Sequence, residues 1–212
     1  MRAIAPHDVT TFVALLRAGG MAVFPTETSY GLGCDATNAA AVAKIFAVKG
    51  RDPGKPLLIV VPTVDAARHY LQWNETLDRL AGQYWPGPLT IVGWYQTQPV
   101  GGKLHDLAPG VVSATGTLAV RVTKYPWLLE VLKRLKTPLV ATSANKSGQE
   151  PLYDSALISR IFYGERQELD IVVNAGLLPK EPPTTMVSVV DGGIRLLRQG
   201  GVQLDPYAAL II

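Results

Sequence analysis

Residues 38–61 pass from an apolar, helix-like stretch into the turn Lys49-Gly50-Arg51-Asp52-Pro53-Gly54-Lys55-Pro56. The aliphatic run Leu57-Leu58-Ile59-Val60-Val61 follows at once. A helix that stops at glycine, turns tightly and re-enters as a buried strand is a building unit of an α/β sheet. The turn carries three cations within seven residues. Lysine offers a point charge and arginine a planar fork suited to phosphate or carboxylate, so a rigid turn of this kind at a sheet edge is an anion site.

The same alternation runs through most of the chain. Residues 8–18 place Val9, Phe12, Val13, Leu15 and Leu16 at helical spacing, stopped by Gly19-Gly20. A short strand is expected at 21–24, then a loop or short irregular strand over 26–35. Asn38, Thr63 and Asn74 are candidate N-caps, the last two for helices running to about residue 71 and to the break Trp85-Pro86-Gly87-Pro88. Strands are expected at 57–61, 89–95, 117–122 and 138–142, and helices at 126–135 and near 154–163. Further strands are expected near 170–174, 185–190 and 194–198. Residues 96–116, rich in Gly and Pro, read as the longest irregular stretch and a mobile flap. The strand-rich end favours a three-layer α/β fold whose twisted sheet mixes parallel and antiparallel strands between helices. One domain over residues 1–200 with a tail at 201–212 is expected.

An apolar fraction of 48% supports a sizeable core in 212 residues. No run is long enough to span a bilayer and residues 1–8 lack an export signal, so no membrane association and a cytoplasmic location are expected. Cys34, alone, has no internal disulfide partner. The net charge of +3 is small, and the basic residues gather in two groups: Lys44, Lys49, Arg51 and Lys55, and Arg121, Lys124, Lys133, Arg134 and Lys136. That placement reads as local anion binding rather than a surface built to coat nucleic acid.

Four segments at strand ends carry compatible chemistry: the hydroxyl-rich Pro25–Gly33 loop, the basic turn, Thr117 with Arg121 on one face of a strand, and the polar loop from Ala141 to Gly148. Other chemistries fit worse. A P-loop and a GxGxxG fingerprint are missing, His7, His69 and His105 are scattered, and Ser143 has no neighbouring histidine to act as base.

Several motifs in order then resemble one family. They are Pro25-Thr26-Glu27-Thr28 with Tyr30-Gly31-Leu32-Gly33, then Lys49-Gly50-Arg51 with Lys55-Pro56-Leu57, and Trp85-Pro86-Gly87-Pro88-Leu89-Thr90. Ala119-Val120-Arg121-Val122, Thr142-Ser143-Ala144-Asn145 with Ser147-Gly148, and Leu197-Arg198-Gln199-Gly200 complete the series. Together they are similar to the YrdC/TsaC family of L-threonylcarbamoyladenylate synthases. The resemblance implies a nucleotidyltransferase that makes threonylcarbamoyl-AMP and pyrophosphate from L-threonine, bicarbonate or CO2, and ATP. Its product would feed a downstream threonylcarbamoyl transferase in t6A modification of tRNA.

By the same resemblance, Lys49, Arg51, Ser143 and Asn145 form the catalytic set. Lys49, Arg51, Lys55, Thr117, Asn145, Tyr153 and Arg198 would hold ATP; Thr28, Arg121, Ser143 and Thr184 would hold threonine. Mg2+ would arrive on the phosphates, with no protein metal site. Thr123 stands where the family often has proline, and Pro183-Thr184 where many members have Pro-Ser. With residues 201–212 following Gly200, no counterpart of the C-terminal domain of longer relatives is expected. A non-catalytic RNA-binding module on the same fold is the alternative, a carbamoyl-AMP-forming relative a further one, and direct contact with tRNA stays open.

Overall fold

The computed structural model describes residues 1–98, 106–164, 169–190 and 192–205. Its strands are β1 (Arg2–Ile4), β2 (Ala22–Pro25), β3 (Tyr30–Gly33), β4 (Ile59–Val61), β5 (Leu89–Trp94) and β6 (Thr117–Val122). These are followed by β7 (Leu139–Val140), β8 (Thr142–Ser143), β9 (Ile171–Val173), β10 (Thr185–Ser188) and β11 (Arg195–Arg198). The helices are α1 (Val9–Arg17), α2 (Ala39–Lys49), α3 (Val64–Arg68), α4 (Glu75–Tyr84), α5 (Pro126–Leu135) and α6 (Ser155–Phe162).

Local chemistry sets most boundaries. Asn38, Thr63 and Asn74 accept the N–H of Ala41, Ala66 and Leu77 and so start α2, α3 and α4. Gly50 ends α2 in the left-handed region (φ 59°), while Arg51 N–H returns to the Phe46 carbonyl. This closure suits a residue without Cβ and aims the basic turn away from the helix axis. Pro126 opens α5, where its missing N–H costs nothing.

The mixed α/β architecture expected from the sequence is present, with its strands hydrogen-bonded as two mixed sheets. One has the order β1-β9-β2-β3-β8 and the other β11-β10-β5-β6-β4-β7. Residues 138–142, expected as one strand, cross between them. Leu139 and Val140 pair with β4, and Thr142 and Ser143 pair with β3. The crossing is held by Val140 N–H to the Cys34 carbonyl at 2.9 Å, and it depends on Gly33, where a Cβ would lie 1.8 Å from the Val140 carbonyl oxygen.

Strand alternation sorts the core into two sides. Ala22, Phe24, Val60, Ile171 and Val173 pack with α1 and α5 around Phe12, Leu16, Val131 and Leu132. Their alternates Val23, Ile59, Val61 and Val172 join the larger core of Leu32, Val42, Ile45, Leu77 and Val120.

Other differences are small. β1 was unanticipated, α3 stops at Arg68, and the loop over 26–35 resolves into a turn followed by β3. Residues 99–105 of the expected flap lie outside the described residues. Residues 106–116 pack against the fold: Val111 is buried, Ala108 N–H binds the Ala36 carbonyl, and the Gly110 carbonyl accepts Leu57 N–H.

Candidate functional site

A cleft of about 490 Å³ lies between residues of the two sheets, within the range of small-molecule pockets. One wall carries Thr28, Tyr30, Gly31 and Ser143; the other carries Thr117, Ala119, Arg121, Thr184, Met186 and Arg198. Arg51, Lys55 and Tyr153 complete the lining used below. The alternation of β6 places Thr117, Ala119 and Arg121 on the face toward the cleft.

The basic turn is internally braced. Arg51 donates from Nε to the Lys55 carbonyl at 2.7 Å and from Nη2 to the Pro56 carbonyl at 3.0 Å. Burial lowers the Arg51 pKa, with Asp52 opposing. Lys55 is exposed at the rim. Opposite, Arg198 donates to the Thr184 carbonyl from Nε and Nη2 (3.2 and 2.9 Å) and to Thr184 Oγ1 at 3.0 Å. Thr184 Oγ1 also lies 2.9 Å from Thr90 Oγ1. The Arg198 pKa is lowered first by burial and second by the charge of Arg121.

Lys49 and Asn145 do not line the cleft; they build its wall. Lys49, 3% exposed, donates to the carbonyls of Ser143 and Asn145, both at 2.6 Å, and to Asn145 Oδ1 at 3.3 Å. Ser143 Oγ donates to Asn145 Oδ1, and Asn145 Nδ2 to the Gln149 carbonyl. Burial first, and Arg51 second, pull the Lys49 pKa down to about 8. The two basic groups seen in the sequence are thus dispersed. Lys44 reaches toward the Gly19 carbonyl, and Arg121 is buried apart from the α5 lysines.

Glu27 was missed as a site residue, although it is the one acid in the Pro25–Gly33 segment. It pairs with Arg121 and accepts the Thr123 hydroxyl. Cys34 is fully buried, and burial pushes its thiol up to about 12, the state of an inert packing residue. Among the described residues no helix is long and apolar enough to cross a membrane, and no three His, Cys, Asp or Glu side chains form a metal site.

The threonylcarbamoyl-AMP synthase of Thiobacillus denitrificans is 35% identical over 182 residues, covering 85% of this chain and 90% of its own. Sua5 of Pyrococcus abyssi, complexed with L-threonine, superposes with a TM-score of 0.82 at 28% identity. That match covers 96% of this chain but 57% of the longer archaeal one. YciO of E. coli shares the fold with a TM-score of 0.80 at 22% identity, covering 95% of this chain and 93% of its own. The Sua5–YciO–YrdC family model, whose description reads telomere recombination, matches residues 14–200. The chain therefore belongs to the Sua5–YciO–YrdC family.

Proposed function

We propose that this protein is a threonylcarbamoyl-AMP synthase, a nucleotidyltransferase using L-threonine, bicarbonate or CO2, and ATP. The observation that carries the reading is one cleft holding Arg51, Lys55, Arg121 and Arg198 beside Ser143 and Thr28. Two anions must meet in this reaction. The threonine amine adds CO2 to give a carbamate, whose oxygen attacks the ATP α-phosphorus as the bond to the β-phosphate oxygen breaks and pyrophosphate leaves. Cationic side chains offset the charge of both partners, and positioning does most of the rest. Holding two reactants in line is worth about 7–11 kcal/mol.

In this reading Arg51, Lys55 and Arg198 receive the triphosphate, with Thr117 and Tyr153 beside the nucleotide. Arg121 takes the threonine carboxylate, while Thr28, Ser143 and Thr184 fix its polar groups. Lys49 and Asn145 act by holding the Ser143 bend in place. Mg2+ would come with ATP, coordinated by phosphate oxygens and water. The adenylate would pass to a threonylcarbamoyl transferase in the cytoplasm, for tRNA modification.

Pyrophosphate release is measured with ATP, threonine and bicarbonate, each omitted in turn. Release only with all three, and a product of the mass of threonylcarbamoyl-AMP, supports the reading. RNA binding without release would favour the non-catalytic alternative.

A further inference from the structure

Glu27 lies on the turn between β2 and β3, and its neighbours Thr26 and Thr28 line the cleft while Glu27 itself does not. Its carboxylate meets Nη2 of Arg121 on β6, in the other sheet, with both side chains nearly buried at 11% and 8% exposure. The Thr123 hydroxyl, 1% exposed as a residue, stands 3.2 and 3.3 Å from the two Glu27 oxygens. Thr123 Oγ1 also accepts the Tyr125 N–H at 3.1 Å, which leaves its own proton to point at Glu27. The acid is held in turn by the residue that follows β6, the strand it serves.

The contact holds and neutralises Arg121 from one side of its fork. Nη2 is taken up by its ion pair with the Glu27 carboxylate, while the buried Nε has no hydrogen-bond partner among the described residues. A buried guanidinium with unspent donors is costly unless an anion completes it. Glu27 also opposes the repulsion between Arg121 and Arg198, which share the cleft.

We propose that Glu27 is a positioning residue for the amino-acid end of the cleft, fixing Arg121 so that its remaining donors receive the substrate carboxylate. The proposal rests on the synthase reading above. Glu27 works through Arg121, so it governs the amino acid rather than the nucleotide.

The test is pyrophosphate release by the full chain, titrating threonine at saturating ATP and ATP at saturating threonine. In Glu27→Gln, which keeps size and an acceptor for Thr123, the threonine half-saturation should rise about tenfold while that for ATP stays within about twofold. Glu27→Ala should rise further. Added to Arg121→Ala, Glu27→Gln should change threonine half-saturation no further, as expected for one residue acting through another. Thr123→Val, which removes only the hydroxyl, should give a smaller rise on the threonine side alone, and it carries the test should the Glu27 variants not fold.

Equal rises for both substrates, an unchanged threonine requirement, or additivity with Arg121→Ala would overturn the proposal while leaving the synthase reading intact. A wild-type chain inert with all three substrates would overturn both.

Discussion

Lys49 Nζ lies 2.6 Å from the backbone carbonyl of Asn145, joining the last turn of α2 to the bend after β8. It ties the basic turn to the Ser143 bend, so two segments distant in sequence share one anchor. The lysine is a brace of the cleft wall, and the cations facing the cleft are Arg51, Lys55, Arg121 and Arg198.

Lys49→Met should therefore damage structure and activity together. It leaves the buried Asn145 carbonyl without its donor, at a cost of about 1–3 kcal/mol, and strips the Ser143 carbonyl of one of its two donors, the other being Asn145 N–H. A lowered melting temperature with pyrophosphate release reduced at least about tenfold is expected. Loss of activity with an unchanged melting temperature would instead mark Lys49 as a direct ligand.

The titration of Lys49 supplies a second check. With its pKa pulled from 10.5 to about 8, the folded chain releases this proton before the unfolded chain does. Unfolding takes up a proton between those values, so this group's contribution makes the fold gain stability as pH rises from about 8 to 10.5. Below about 8 both states are protonated and the contribution is flat. Nitrogen NMR of the lysine side chain should show a midpoint near 8; a midpoint near 10.5 would mean that the three acceptors outweigh burial.

Lys55 and Arg51 should separate by their surroundings. Lys55 is exposed, so Lys55→Ala should raise the ATP half-saturation about tenfold with an unaltered melting temperature. Arg51 also braces the turn through two carbonyls, so Arg51→Ala should abolish release and loosen the turn, seen as faster amide exchange over 51–57. Full activity in both variants would remove the turn from ATP binding.

Gly33→Ala places a methyl 1.8 Å from the Val140 carbonyl oxygen, which is backbone and has no rotamer to give. Overpacking of this kind costs about 1–3 kcal/mol, occasionally more. The expected result is a clear drop in melting temperature, and a neutral variant would show that the strand crossing can shift.

Features written in neighbouring residues were legible beforehand. Asn38, Thr63 and Asn74 cap the helices expected of them, and the Thr117–Arg121 spacing puts both side chains on the cleft. Pairing between distant segments was not. The crossing at residues 139–143 depends on Gly33, more than a hundred residues earlier, and on the carbonyls it meets there. Lys49 read as a cation facing ATP because lysine seldom loses all contact with water, and it is the acceptors of Ser143 and Asn145 that make its burial tolerable. Glu27 passed unnoticed among hydroxyls because the threonine that holds it lies 96 positions away.

Arg198 has a consequence for synthesis. It belongs to β11, which pairs with β10 at the edge of its sheet and reaches Thr184 across that pairing. A nascent chain that has not yet emerged past this strand can already have translated every other residue assigned to the cleft. With Arg198 receiving the triphosphate as proposed, nucleotide affinity would become complete only when this last cation leaves the ribosome, and ribosome-bound intermediates stalled before residue 195 should bind nucleotide more weakly than the released chain.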